Sequence, residues 1–298
     1  MTTQLFTQTE TVVNGKKTTV TQFNFATWTA FVDAAENGET DMTDVRSSRT
    51  SNAHQTGWTL TKNIAAAAKL AREGWAEGAA QIKTSLETLH AAIPSKRFSR
   101  EIGMAVTGPG TLDLGRYFEG HPEAWMVWQD REDTTASSKG PVVTIAFNIT
   151  ASGGVGTSEM IQKGSTIAAL VDLLERSGRR VELILTCGTN PNKGHAIRIT
   201  VRVKEAGDVL DIDRVAYALG HPSTLRRLGF SVWELAPANA RKACNIREGA
   251  GYGRCEDWDI PDALMIRSSD SGNYGTEAKR IVFLRRTLEA QGVKWEGD

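Results

Sequence analysis

The chain has 298 residues, 23% charged and 40% hydrophobic, which is enough to bury one large core or two smaller ones and excludes disorder as the dominant state. Its 35 basic residues balance 35 acidic ones, so a strongly basic or acidic protein is excluded and any anion-binding surface must come from local clustering. No run approaches the roughly 18 apolar residues of a membrane helix, and the first residues lack the apolar stretch of a secretion signal, so a soluble cytoplasmic protein is expected. Cys187, Cys244 and Cys255 form no CxxC pair; reduced thiols are expected, not a zinc knuckle or a disulfide framework.

Near the start, TETVVNGKKTTVTQF alternates threonine with apolar residues on both sides of Asn14-Gly15, a strong hairpin signal because both residues tolerate positive φ. Thr27 reads as the N-cap of a short helix carrying Trp28, Phe31 and Val32. A polar, turn-rich loop follows, ENGETDMTDVRSSRTSNAHQTG. From Thr61 to about Ile93, apolar residues from Ile64 through Ala67, Ala71, Trp75, Ala79, Ile82 and Leu86 to Leu89 step by three or four, which predicts one long amphipathic helix of about 45 Å, stopped by Pro94. Lys96 to Gly140 is irregular and reads as a wrapping segment whose Tyr117, Phe118, Trp125 and Trp128 fill core. From Pro141 the pattern becomes strand 142–149, helix 158–177, strand 181–187 and strand 196–204. Helices near 213–218, 223–228 and 276–291 complete the reading, with Asp211 and Asp213 in helix-capping sequence.

The loop after strand 142–149 lies where α/β proteins hold ligands. It is not a P-loop, because IQKGST has its lysine before the glycine, and GGVGTS lacks the third glycine of a dinucleotide fingerprint. Asn148, Thr150 and Ser152, followed by a helix and the strand RVELILT, resemble the von Willebrand A fold, whose metal site reads DxSxS at the end of its first strand. The hydroxyls are kept and the carboxylate is not, so metal affinity is expected to be poor unless another carboxylate enters.

Charge clusters locally. Between Arg176 and Lys204 lie seven basic residues and one acid, Glu182. In AIRITVRVK, alternation puts Ile197, Ile199, Val201 and Val203 on one face and Arg198, Thr200, Arg202 and Lys204 on the other, a basic stripe opposite a core face. Lys96, Arg97 and Arg100 form a further group, as do Arg226 and Arg227. In RKACNIREGAGYGRCEDW, Arg241, Lys242, Arg247 and Arg254 alternate with glycines and with Tyr252 and Trp258. Such a loop suits single-stranded nucleic acid, cations tracking phosphates and rings stacking on bases; a solvated face paired to Glu248, Glu256 and Asp257 is the plainer alternative. The five histidines show no HExxH or HxH spacing and no GxSxG elbow is present, so no catalytic residues are assigned and the expectation is a non-enzyme with no cofactor and no resident metal.

Three segments, GTLDLGRYFEGHPEAWMVW, VVTIAFNITASGGVGTSEMIQKGSTIAALVDLLERSGRRVEL and DRVAYALGHPSTLRRLGFSVWE, resemble a phage domain family with a G-x-P-E-x-M-like motif (Gly120, Pro122, Glu123, Met126) and an HPSxxRRxxF-like motif (His221 through Phe230). Ala124 and Trp125 make the first motif longer than the family's. The resemblance covers roughly residues 108 to 235 and is to the Drc-like single-stranded-DNA-binding transcription regulators of podophages that carry their own RNA polymerases. It implies a homo-oligomeric protein of the host-cell cytoplasm that coats single-stranded DNA and recruits the phage polymerase, in transcription or replication.

Together these readings predict an α+β fold: a mixed sheet with a von Willebrand A-like strand-helix-strand core, an N-terminal β-hairpin and a long amphipathic helix. Residues 1–100 form a hairpin and helical region and 101–298 an α/β core with a basic loop and final helix, packed as one unit. Phosphate contacts are assigned to Arg198, Arg202, Lys204, Arg226, Arg227, Arg241, Lys242, Arg247 and Arg254, with Tyr252 or Trp258 stacking on bases. The alternatives are an adaptor that binds a protein through Asn148 to Ser152 and a virion assembly protein.

Overall fold

Asn14 and Gly15 adopt φ of 49° and 75°, the left-handed pair that a type I′ turn requires. They fold β1 (Thr7–Val13) back on β2 (Lys16–Phe25), as the sequence predicts. The structure is a computed structural model that describes residues 5–39, 57–92, 100–107, 111–130, 141–151, 153–247, 251–252 and 256–293. After the hairpin come α1 (Trp28–Asn37), α2 (Ile64–Glu73), α3 (Ala76–Ala92), β3 (Arg100–Ala105), β4 (Thr111–Leu112), α4 (Leu114–Phe118) and β5 (Trp125–Asp130). The chain continues through β6 (Val142–Asn148), α5 (Thr157–Arg176), β7 (Arg180–Gly188), β8 (His195–Lys204), α6 (Ile212–Gly220), a π-helical turn (Thr224–Gly229), α7 (Phe230–Trp233) and α8 (Ala238–Ala243). It ends with β9 (Ile246–Arg247), β10 (Gly251–Tyr252), β11 (Ala263–Ile266), a 3-10 turn (Ser268–Asn273) and α9 (Glu277–Ala290).

The main sheet has six strands in the order β1-β2-β8-β7-β6-β11. β6 runs parallel to both β7 and β11, β8 is antiparallel to β7, and β2 joins parallel to β8. The architecture is therefore a mixed α+β sheet. Its two faces differ because the strands alternate: Phe23, Phe25, Val143, Ile145, Phe147, Leu183, Leu185, Ile197, Ile199 and Val201 are buried in the core. Between them on β2, β6, β7 and β8, Gln22, Thr144, Glu182, Arg198, Thr200 and Arg202 are half-exposed. That second face is laced across strands: Gln22 Nε2 donates to Thr200 Oγ1 at 3.0 Å and Thr144 Oγ1 to Glu182 Oε2 at 3.0 Å.

Strand β2 and α1 share this core with residues as distant as Val293. The core cluster thus includes residues from both sides of residue 100. Thr27 caps α1 by accepting from Ala30 N, and Trp28, Phe31 and Val32 are buried, as the pattern indicates.

Three expectations need correction. The long helix is two helices, because Gly74 sits at φ 91° and ends α2, its N–H donating to Leu70 O. A Cβ there would stand 2.6 Å from the Asp213 side chain, so the break lets the chain pass close to α6. The apolar stripe persists across the break: Ala67, Ala71, Trp75, Ala79 and Ile82 are all buried, while the side chains of Leu86 and Leu89 lie outside the described residues. The segment read as wrapping contains its own three-stranded sheet, β3-β5-β4. There Tyr117 and Phe118 are 57% and 81% exposed instead of filling core, and Trp125 is half-buried. Finally, Lys204 leaves the basic stripe. The β7–β8 register shifts between Leu183 and Ile184, so Leu183 faces Lys204 while Ile184 faces Arg202, and the irregularity turns the lysine inward.

Candidate functional site at the carboxyl edge of the sheet

β6 and β11 are parallel, so both end at the same edge, and the chain leaves β6 through a loop into α5. Asn148, the last residue of β6, is buried and sets that loop: its Oδ1 accepts from Thr150 N at 2.8 Å and from Thr150 Oγ1. Its Nδ2 donates to Glu256 O at 2.6 Å and to Asp257 Oδ1 at 2.7 Å. Asp257 also accepts from Ser268 N at 2.8 Å and from Ser268 Oγ at 2.6 Å, which ties the segment before β11 to the turn after it. From the second turn of α5, Lys163 Nζ donates to the carbonyls of Asn148 at 3.0 Å and Arg267 at 3.1 Å and lies 4.8 Å from the Phe147 ring centroid.

Above this network opens a cavity of about 500 Å³. Phe147, Ile149, Val155, Met160 and Leu219 supply apolar wall; Thr150, Glu159, Gln162, Lys163, Ser268 and Tyr274 supply polar groups. Its size and mixed lining suit a small molecule or an inserted side chain. A carboxylate does enter beside Asn148, as a metal site would need, but both Asp257 oxygens already accept hydrogen bonds and the lysine ammonium stands at the floor. Among the described residues no group of three or more His, Cys, Asp or Glu side chains could hold a metal ion. Ser152 lies outside the described residues.

The assigned phosphate contacts do not form one surface. Arg198 is clamped to Glu256 by two hydrogen bonds, 2.9 and 2.6 Å, with its guanidinium 5.1 Å from the Trp258 ring centroid. Arg202 pairs with Glu182 at 2.9 Å and Glu205 at 3.5 Å. Buried Lys204 binds Glu175 at 2.6 Å and donates to Val181 O. The greatest departure is Arg226 and Arg227, only 2% and 1% exposed in the π-helical turn. Arg226 donates to Trp58 O and Val155 O, both at 2.7 Å, and Arg227 to Thr59 Oγ1 at 3.2 Å and Thr61 O at 3.0 Å. Burial pushes the Arg226 guanidinium down to about 10 and lowers that of Arg227. Arg241 is also buried and donates to the carbonyls of Glu234 and Ala236.

These arginines are drawn into the fold for one reason: loop and helix-end carbonyls need donors, and a guanidinium satisfies several at once. Tyr252 stacks on Phe230, centroids 4.0 Å apart, and its hydroxyl donates to Glu234 Oε1 at 2.5 Å. Trp258 packs on Gly188, where a Cβ would come within 2.5 Å of the ring. Lys242 alone of the assigned cations is plainly exposed; the Arg247 side chain, Arg254 and Cys255 lie outside the described residues. Cys187 and Cys244 are buried thiols.

The cavity residues Lys163, Ser268 and Tyr274 were not singled out from the sequence, and Asp257, behind Ser268, entered it only as an acid pairing the basic loop. Lys163 stood in view, inside IQKGST, but only as a failed P-loop lysine.

Residues 8–294 match the family described as a domain of unknown function, DUF7192. The chain belongs to DUF7192. The match takes in the hairpin, the cavity and α9 of this DUF7192 chain together, so it reaches across the boundary at residue 100. No curated protein and no solved structure matches it. No helix among the described residues is long and apolar enough to cross a membrane.

Proposed function

We propose that this chain is a binding module whose working site is the cavity at the carboxyl edge of the sheet, in a core of von Willebrand A-like organisation that works without a metal. The observation that carries the reading is Lys163: its ammonium, fixed by the carbonyls of Asn148 and Arg267, stands beside the strand end where a metal-dependent relative of that fold would hold its cation. The order β6, loop, α5, β7 and the placement of Asn148 and Thr150 support the likeness. The site then recognises a partner by shape and hydrogen bonding, as an adaptor does. Calorimetry with Mg²⁺ and Mn²⁺ tests the metal-free claim: no heat and no thermal shift is expected, and a saturable heat with either ion would overturn it.

A second reading, single-stranded DNA binding with recruitment of a phage RNA polymerase, is favoured by one feature outside the main sheet. Tyr117 and Phe118 expose their rings, 5.8 Å apart, next to Arg116 on α4, and open rings of this kind suit stacking on unpaired bases. Under this reading α4 replaces Tyr252 and Trp258 as the stacking platform, and Lys242 with Arg247 and Arg254 supplies phosphate contacts. Fluorescence anisotropy with a labelled single strand, its duplex and the matching RNA tests it. Phe118→Ala should weaken single-strand binding by about fivefold to a hundredfold; equal binding by that variant would remove the platform.

A further inference from the structure

Resting on the cavity reading, we propose that the cavity takes an uncharged ligand bearing a carboxamide-type group, a carbonyl adjoining an N–H, on an apolar body. Tyr274 is 2% exposed and lines the cavity, yet its hydroxyl has no hydrogen-bond partner among the described residues. Burial and nearby Asp270 push its phenol above the ordinary tyrosine range, so it stays protonated and acts as a donor. A buried hydroxyl without a partner is costly to the fold, and a ligand acceptor removes that cost.

The opposite requirement comes from Thr150 and Ser268. Both line the cavity, and both direct their hydroxyl protons inward, Thr150 to Asn148 Oδ1 and Ser268 to Asp257 Oδ2. Each is left with lone pairs, which call for a donor on the ligand. A carboxylate supplies acceptors but no donor; the Lys163 ammonium at the floor already donates to the carbonyls of Asn148 and Arg267, and Glu159 on the wall and Asp257 behind Ser268 oppose a second negative charge. An ammonium supplies donors but gives Tyr274 nothing to bind. A carboxamide supplies both, and Phe147, Ile149, Met160 and Leu219 cover its apolar body.

The probes are benzamide, benzoate and benzylamine, which share one ring and differ in the polar group, titrated against the full chain by ligand-detected NMR and thermal shift. Benzamide should bind at least about tenfold more tightly than the other two. Tyr274→Phe should weaken benzamide by about fivefold to tenfold, the effect of one neutral hydrogen bond, while raising the melting temperature of the unliganded protein because the orphaned hydroxyl is gone. Benzoate or benzylamine binding as tightly, or benzamide binding unchanged in Tyr274→Phe, would overturn the ligand class and leave the cavity reading standing. If none of the three binds, the ligand class and the cavity reading fall together; if benzamide binds but Ala151→Phe, which fills the wall, leaves it unchanged, the cavity reading falls.

Discussion

His221 shows how much one side chain can carry. Its ring lies between Tyr217, stacked at 5.0 Å, and the edge of Trp75 at 4.7 Å. Nδ1 accepts from Ser223 N at 3.2 Å and meets Ser223 Oγ at 2.7 Å, and that oxygen lies 2.7 Å from the Tyr217 hydroxyl. Burial pushes the imidazole down to about 4. Because the folded value lies below the ordinary one of about 6.5, the unfolded chain takes up the proton first as pH falls. The stabilisation is complete above pH 6.5 and is lost on the way down to about pH 4, a change of about 3 kcal/mol. Urea unfolding at pH 7.5 and 4.5 should show this loss, and His221→Asn should remove most of the difference. Arg226 and Arg227 belong to the same scale. Replacing either with Met leaves buried carbonyls unpaired and should cost about 2–3 kcal/mol in urea unfolding, with no change in the salt dependence of any DNA binding. A charge pair written RR is legible in the sequence; that both cations point into the fold is not, since it depends on residues 58–62 arriving from far along the chain.

At the scale of elements, periodicity located β6, α5, β7, β8 and α9 within a residue or two, because alternation and the 3.6-residue repeat are local properties. It missed the short strands β3, β4, β5, β9, β10 and β11, which are too brief to show a period, and it missed junctions. The 64–92 stripe is continuous in sequence and broken in space at Gly74, which a backbone with φ 91° and close passage by Asp213 requires. Gly74→Ala should therefore destabilise by about 2 kcal/mol in urea unfolding, well beyond the gain that alanine brings to an ordinary helix position. Another glycine contact holds α5 to α6: a Cβ on Gly164 would lie 2.5 Å from Gly220 Cα. Gly164→Ala should force these helices apart and cost about 1–3 kcal/mol. Because α5 also carries Lys163, the same variant should weaken benzamide binding, measured on the protein that remains folded.

For the whole molecule, the parallel pairing of β2 with β8 makes the N-terminal hairpin part of the sheet, with Phe23 and Phe25 in the shared core. Fragments 1–100 and 101–298 expressed apart should each fail to show a cooperative thermal transition, followed by circular dichroism, because each exposes apolar surface that the other covers. A sharp transition in either fragment alone would contradict a shared core. The sequence by itself determined the hairpin turn, the alternating strands, the capped helices and the absence of a P-loop or dinucleotide fingerprint, because each of these is set by neighbours within a few positions. Only the tertiary structure decided what the charges do. Arg198 meets Glu256 and Lys204 meets Glu175 across long stretches of chain, so a stripe that reads as basic is neutralised on folding. The cavity likewise joins Thr150, Lys163, Ser268 and Tyr274 from three separate segments. Burial and pairing between distant residues are properties of the packed chain, and no local pattern contains them.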